Sequence, residues 1–260
     1  MTGEMMDGLM KSKYVKREYE CSERIDQLRI DSKTDAIRIT SGDVMRVRIS
    51  YWENPGKYEY SCTEADGKLT LAFDMSRGIL GGIHYTFQDT TIEVVVPRDF
   101  AGSMDVKCTS GKIELTDIHT ENISIGCTSG LIRLSDVVSQ GNITIDNKSG
   151  SIKLSEVKAT KDVSVMNKSG LIRVNDLQTE GAFLSGNTSG GIHFENLKTG
   201  GSIHLKSTSG SVKGSIIGKE EDYSILAGTK TGMNNLTNSR NGGKELNVKV
   251  TSGSIKIQFV

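Results

Sequence analysis

From about residue 105 to the C-terminus, apolar and polar residues alternate in short runs that recur about every 20 positions. One run follows a glycine: Ile113 and Leu115, Ile132 and Leu134, Ile152 and Leu154, Ile172 and Val174, Ile192 and Phe194. A second lies ten residues later: Ile123 and Ile125, Ile143 and Ile145, Val163 and Val165, Ile203 and Leu205. A third apolar position falls between them, at Ile118, Val137, Val157, Leu177, Leu197 and Ile217. Period-two alternation of β-branched residues predicts strands with one buried face. No 3.6-residue pattern occurs in this region, so it predicts no helix.

The glycines fix the architecture. Gly111, Gly130, Gly150, Gly170, Gly190 and Gly210 are spaced 19, 20, 20, 20 and 20 residues apart, and Gly253 follows after 43. A degenerate copy, TKTGMNN, divides that gap at Gly232 into 22 and 21. Two strands per period suit either a meander of hairpins or a solenoid. Only a stack of coils has reason to hold one residue type in a column. The serine before each glycine recurs at 110, 129, 149, 169, 189, 209 and 252. The pattern therefore predicts an all-β chain: a parallel β-solenoid of about 20-residue coils, two short strands per coil, with glycine at a tight corner.

Three residues before each glycine stand Cys108, Cys127, Asn147, Asn167, Asn187 and Ser207, with inward parity. A buried amide needs a partner, so Asn147, Asn167 and Asn187 are expected to form a ladder, each amide bonding the next coil. A polar ligand site is the functional alternative. Cys108 and Cys127 should be stacked neighbours with their Cβ atoms too far apart for an unstrained bond. Cys21 and Cys62 have no implied partner, so four free thiols are expected.

Before residue 105 the rhythm weakens. Residues 28–39 look like one more strand–corner–strand copy, with Asp35 in the glycine place. Residues 25–104 are read as the irregular first coils and cap of the solenoid, with a loop at 78–87. Residues 105–260 are its regular part, and 25–260 one domain. Residues 1–24 are expected to be a mobile or helical lead. The coil ending at Val260 has no cover in the sequence, which leaves its edge open to self-assembly.

Composition narrows the function classes. With 32 basic and 32 acidic residues the chain lacks the basic excess that nucleic acid demands. No apolar run reaches membrane-spanning length, and the N-terminus lacks a signal peptide's apolar region, so a membrane would be reached only through an anchor absent from this sequence. His84, His119, His193 and His204 fall on different coils with no partner ligands, so neither a metal site nor a cofactor is expected. No catalytic residues are assigned. The stretch TGMNNLTNSRNGGK reads as an enlarged corner loop rather than a nucleotide site.

The outward charges are ordered by repeat. One column reads Glu114, Arg133, Lys153, Arg173, His193, Lys213, Lys256; three residues on stand Asp117, Asp136, Glu156, Asp176 and Asn196. The simplest reading is a solvated, salt-bridged face. The functional one makes Arg133, Lys153, Arg173 and Lys213 a binding stripe for an anionic wall polymer.

The Ser-Gly-x-Ile-x-Leu repeats, the IDSKTDAIRI segment and the closing TSGSIKIQFV resemble the bacterial "putative-adhesin" family of β-solenoid cell-envelope proteins, over roughly residues 25–260. The resemblance implies a location in the cell envelope and a non-enzymatic scaffold or adhesin-like module that presents a flat repetitive face to a polymer or envelope protein. The alternatives are a carbohydrate-active enzyme on a β-helix, which would need carboxylates gathered on a few coils, and a self-assembling scaffold.

Overall fold

The computed structural model describes residues 14–56, 58–74 and 90–260. The irregular region contains β1 (Val15–Glu20), β2 (Gln27–Ser32), β3 (Ala36–Gly42), β4 (Arg48–Glu53), β5 (Glu59–Ala65), β6 (Lys68–Asp74) and β7 (Thr91–Pro97). The repeats begin with three long strands, β8 (Ser103–Thr120), β9 (Ile123–Ser139) and β10 (Ile143–Ala159), which run through their corners. Later coils break at the glycine: β11 (Val163–Ser169) and β12 (Ile172–Thr179), β13 (Phe183–Ser189) and β14 (Ile192–Thr199), β15 (Ile203–Ser209) and β16 (Val212–Ile216). The end is built from β17 (Tyr223–Thr231), β18 (Lys244–Ser252) and β19 (Ile255–Phe259). The loop expected at 78–87 lies outside the described residues.

Every pairing from β8 to β16 is parallel, one coil apart. Each coil has three runs: one before the glycine corner (face A), one after it (face B), and a short third run. Their inward residues, such as Ile143, Ile145, Ile152, Leu154 and Val157, are almost wholly buried. At the glycine corner successive backbones nearly touch. A Cβ on Gly130 or Gly170 would lie 1.8 Å from the carbonyl oxygen of the glycine one coil earlier. Glycine is thus required for the close approach as well as for the positive φ.

The second corner explains the acidic column. Asp117, Asp136, Glu156, Asp176 and Asn196 all hold φ between 53° and 55°. Asp and Asn tolerate this left-handed conformation better than other side chains. The column therefore marks a backbone corner. The coil after Asn196 lacks this residue, so the register shifts between Phe194 and Leu197. Ile216 pairs with Leu197 and is buried, while Ile217, expected inward, is 41% exposed.

Both ends of the stack depart from chain order. β18 pairs with β15 on one side and β17 on the other, and β19 pairs with β16. The last coil in sequence is therefore the penultimate coil in space, beneath the degenerate copy that precedes it. Residues 232–243 then cover that outer rung. Ile225 and Ser239 exchange two backbone hydrogen bonds, and Asn238 accepts from the Ala227 amide. The Asn235 carboxamide accepts from Ile257 N–H and donates to Ile257 C=O, as a neighbouring strand would. The open final edge expected from the sequence is thus covered, and the motive for end-to-end assembly at Val260 falls away.

At the other end β2 lies between β8 and β6, and β3 between β8 and β7. Two antiparallel pairs, β5 with β6 and β4 with β7, reverse the direction of the stack. Residues 15–20, expected in a mobile or helical lead, form the edge strand β1 against β4. Its charged sequence, VKREYE, suits an edge exposed to solvent. Asp35 does occupy the glycine place. It is 1% exposed and accepts hydrogen bonds from Ser32, Tyr58, Tyr60 and Thr90. Burial, followed by the charge on Asp35, pushes both tyrosine hydroxyls up.

Candidate functional site

The inward polar column is part of the scaffold. Asn147, Asn167 and Asn187 are buried and in register. Their Nδ2 atoms donate to the carbonyls of Gly130, Gly150 and Gly170, one coil earlier, at 3.3, 3.0 and 2.6 Å. The bonds run from side chain to backbone, not from amide to amide as expected, because the glycine corner turns its carbonyl inward beneath each asparagine. Each Oδ1 is left without a protein partner. Cys108 fills the same slot at the start of the ladder, donating to Lys33 C=O at 3.5 Å. Cys108 and Cys127 are register partners, and all four cysteines are free. The hydrogen bond between these two thiols, with their burial, pushes the Cys108 thiol up.

The outward charges form the more unusual feature. On face B, Arg133, Lys153, Arg173, His193, Lys213 and Lys256 stand in register on successive coils. At about 4.8 Å per coil the column extends about 24 Å. It starts beside Glu114, which pairs with Arg133 at 3.5 Å and with Lys112 at 2.7 Å. Among the described residues no member of the column beyond Arg133 makes an ion pair. The acidic corner residues do not reach it, so the salt-bridged face expected from sequence is confined to the first two coils. Lys153 with Arg173, and Lys213 with Lys256, are two pairs of like charges about 5 Å apart on either side of His193, and with no carboxylate in their own column they raise the local positive potential and favour a counter-anion.

His193 lies within this run. Its partial burial, then the charges of Lys213 and Arg173, hold its imidazole below the usual histidine range. A second outward column, two residues along each strand, reads Ser135, Ser155, Asn175, Glu195. After the register shift it continues with Ser215 and Gln258. Sequence reading did not single out these residues, although their parity matches the cations'. The two columns line an open depression of about 540 Å³ that includes Arg173, His193, Lys213, Lys256 and Glu195. The opposite outward face carries Ser124, Thr144, Ser164, Leu184 and His204, then Asn247 and Leu226.

Among the described residues no three His, Cys, Asp or Glu side chains stand together as metal ligands. No helix among them is long and apolar enough to cross a membrane.

A stacked parallel coil with cross-coil glycine contacts and antiparallel end pairs defines a β-solenoid scaffold class. Residues 25–258 match the Toastrack DUF4097 family, and the chain belongs to it. Three solved structures are similar to it, each described as a "putative adhesin". The protein from Bacteroides fragilis is 15% identical, with 95% of this chain and 97% of that one covered at a TM-score of 0.61. One from Parabacteroides distasonis is 12% identical, with 95% and 98% covered at 0.48. One from Parabacteroides merdae is 12% identical, with 95% and 97% covered at 0.38. The first supports the fold. No curated protein matches the chain.

Proposed function

We propose that this protein is a non-enzymatic, adhesin-like module of the cell envelope that holds a linear anionic polymer along face B. The observation that carries the reading is the in-register run Lys153, Arg173, His193, Lys213, Lys256, which makes no ion pair among the described residues. Like charges on neighbouring coils repel one another, and a bound polyanion relieves that repulsion. The parallel ladder fixes the spacing of the column's backbone, so binding costs the protein little backbone ordering entropy. The description of the Bacteroides fragilis structure as a "putative adhesin" supports an extracytoplasmic place for the module.

The test is binding to immobilised polygalacturonate and polyphosphate at low and physiological salt. Reversing Lys153 and Lys213 to Glu should weaken both by at least about tenfold, or about 1.4 kcal/mol. Reversing Lys158 and Lys198, exposed on the third run, should change little. Equal loss from the two double variants would reduce the effect to net charge and remove face B as the site.

A further inference from the structure

We infer that the depression at the C-terminal end of the column is a subsite for an acidic saccharide unit, in which Glu195 accepts the sugar's hydroxyl groups while Arg173 and Lys213 hold its acid group. The inference rests on the column as the polymer site and adds what the column reads there.

The second column carries one exception. Its members are neutral at Ser135, Ser155, Asn175 and Ser215, and a carboxylate at Glu195. The Glu195 side chain is exposed and makes neither an ion pair nor a hydrogen bond among the described residues, though it stands one pleat from the cations. A track that attracts polyanions by charge alone gains nothing from an anion at its centre, because that charge repels the ligand. A carboxylate is, however, a strong acceptor for vicinal hydroxyls, and hydrogen bonds to a charged acceptor are the stronger kind. Asn175 and Ser215 add neutral donors and acceptors on either side of it. The depression coincides with the register shift after Phe194, where the coil loses its left-handed corner residue. The depression thus lies where the coil geometry changes, with Gly214 contributing no side chain to its floor. His193 faces Arg173 and Lys213 on the neighbouring coils and Glu195 on its own strand. Held below its usual range, it offers a neutral ring with one donor and one acceptor.

Glu195→Gln separates the two effects. It removes a repulsive charge and weakens a hydroxyl acceptor, and because the side chain is exposed and unbonded the variant should unfold at the wild-type temperature. Two probes are needed: polygalacturonate, which has carboxylates and hydroxyls, and inorganic polyphosphate, which lacks sugar hydroxyls. The expected result is that Glu195→Gln weakens polygalacturonate about threefold to tenfold and leaves polyphosphate unchanged or tighter. Tightening of both, or no change in either, overturns the saccharide subsite and leaves the column standing. Wild-type binding of polyphosphate without polygalacturonate also overturns the subsite alone. Wild-type binding of neither overturns the column and the subsite with it.

Discussion

Replacing Asn167 by Asp changes one atom and removes one donor at the centre of the ladder. Asn167 is 4% exposed, and its Nδ2 lies 3.0 Å from Gly150 C=O. Loss of that bond costs about 1 kcal/mol. The new carboxylate would face the glycine carbonyl, with the Asn147 and Asn187 amides on adjacent coils and no cation in the column. Burial raises such a carboxyl by about 2–3 units, worth about 3–4 kcal/mol at pH 7. The variant should therefore be less stable by about 4–5 kcal/mol at pH 7. The sign of the pH dependence follows from a folded-state value raised above the unfolded one near 3.9. The deficit is smallest below that value and grows as pH rises through the folded one. Near pH 4 the protonated acid can donate to Gly150, and the deficit should shrink to about 1–2 kcal/mol. Urea unfolding followed by far-ultraviolet circular dichroism at both pH values measures this. Lys168→Ser, at the exposed neighbouring position, is the control and should shift stability by less than about 0.5 kcal/mol. An Asp variant within that margin at pH 7, or one whose deficit grows towards pH 4, would refute the reasoning.

Gly170→Ala should destabilise by at least about 3 kcal/mol, since its Cβ meets Gly150 C=O at 1.8 Å with φ at +115°. Gly228→Ala, with nothing within 4 Å, should be neutral or stabilising by up to about 1 kcal/mol in the same urea series. Glu64, which accepts bonds from the Tyr19 hydroxyl and from Ser22, is held down at about 2. Its stabilising contribution is complete above the usual carboxylate range and lost as pH falls through about 2. The stability gap between wild type and Glu64→Gln should therefore close on acidification, and a gap that widens would contradict the assignment. Deleting residues 244–260 removes an inner coil and, with it, the seat of β17, whose one strand partner among the described strands is β18. Limited proteolysis should then cut the 219–243 segment rapidly; continued protection of that segment would mean that the coils stack in chain order.

The solenoid itself could be read from the sequence because every coil repeats the same inward positions, and a column of glycines or asparagines has no other cause. The rung order could not. Gly232 and Gly253 fit the same corner, and only the backbone pairing shows that Gly253 sits on Gly210 while Gly232 lies beyond it. The hint was quality of match: TSGSIKI is the better copy, and it packs on the regular stack. The acidic column was misread because Asp at a left-handed corner and Asp in a surface ion pair look alike in one sequence. The clue was Asn196 at the column's end, a residue useless for pairing and suited to positive φ. The Asp35 network was hidden because its tyrosines reach it from an antiparallel pair with no periodicity. At the candidate site the cations were legible by their spacing. Glu195 was missed because the column was read along one residue position and not across the pleat.

Histidine titration by nuclear magnetic resonance tests the face B assignment most directly, because the protein carries its own controls. His193 lies in the cation column, His204 on face A and His119 on the third run. In the free protein His193 is held low by burial and by Lys213 and Arg173. A polyanion seated on those cations cancels their effect and favours the imidazolium. Saturating polygalacturonate should raise the His193 titration midpoint, with affinity increasing as pH falls through the bound value, while the ring signals of His119 and His204 stay where they are in the free protein. A shift at His204 or His119 with His193 unmoved would place the polymer on another face and contradict the account.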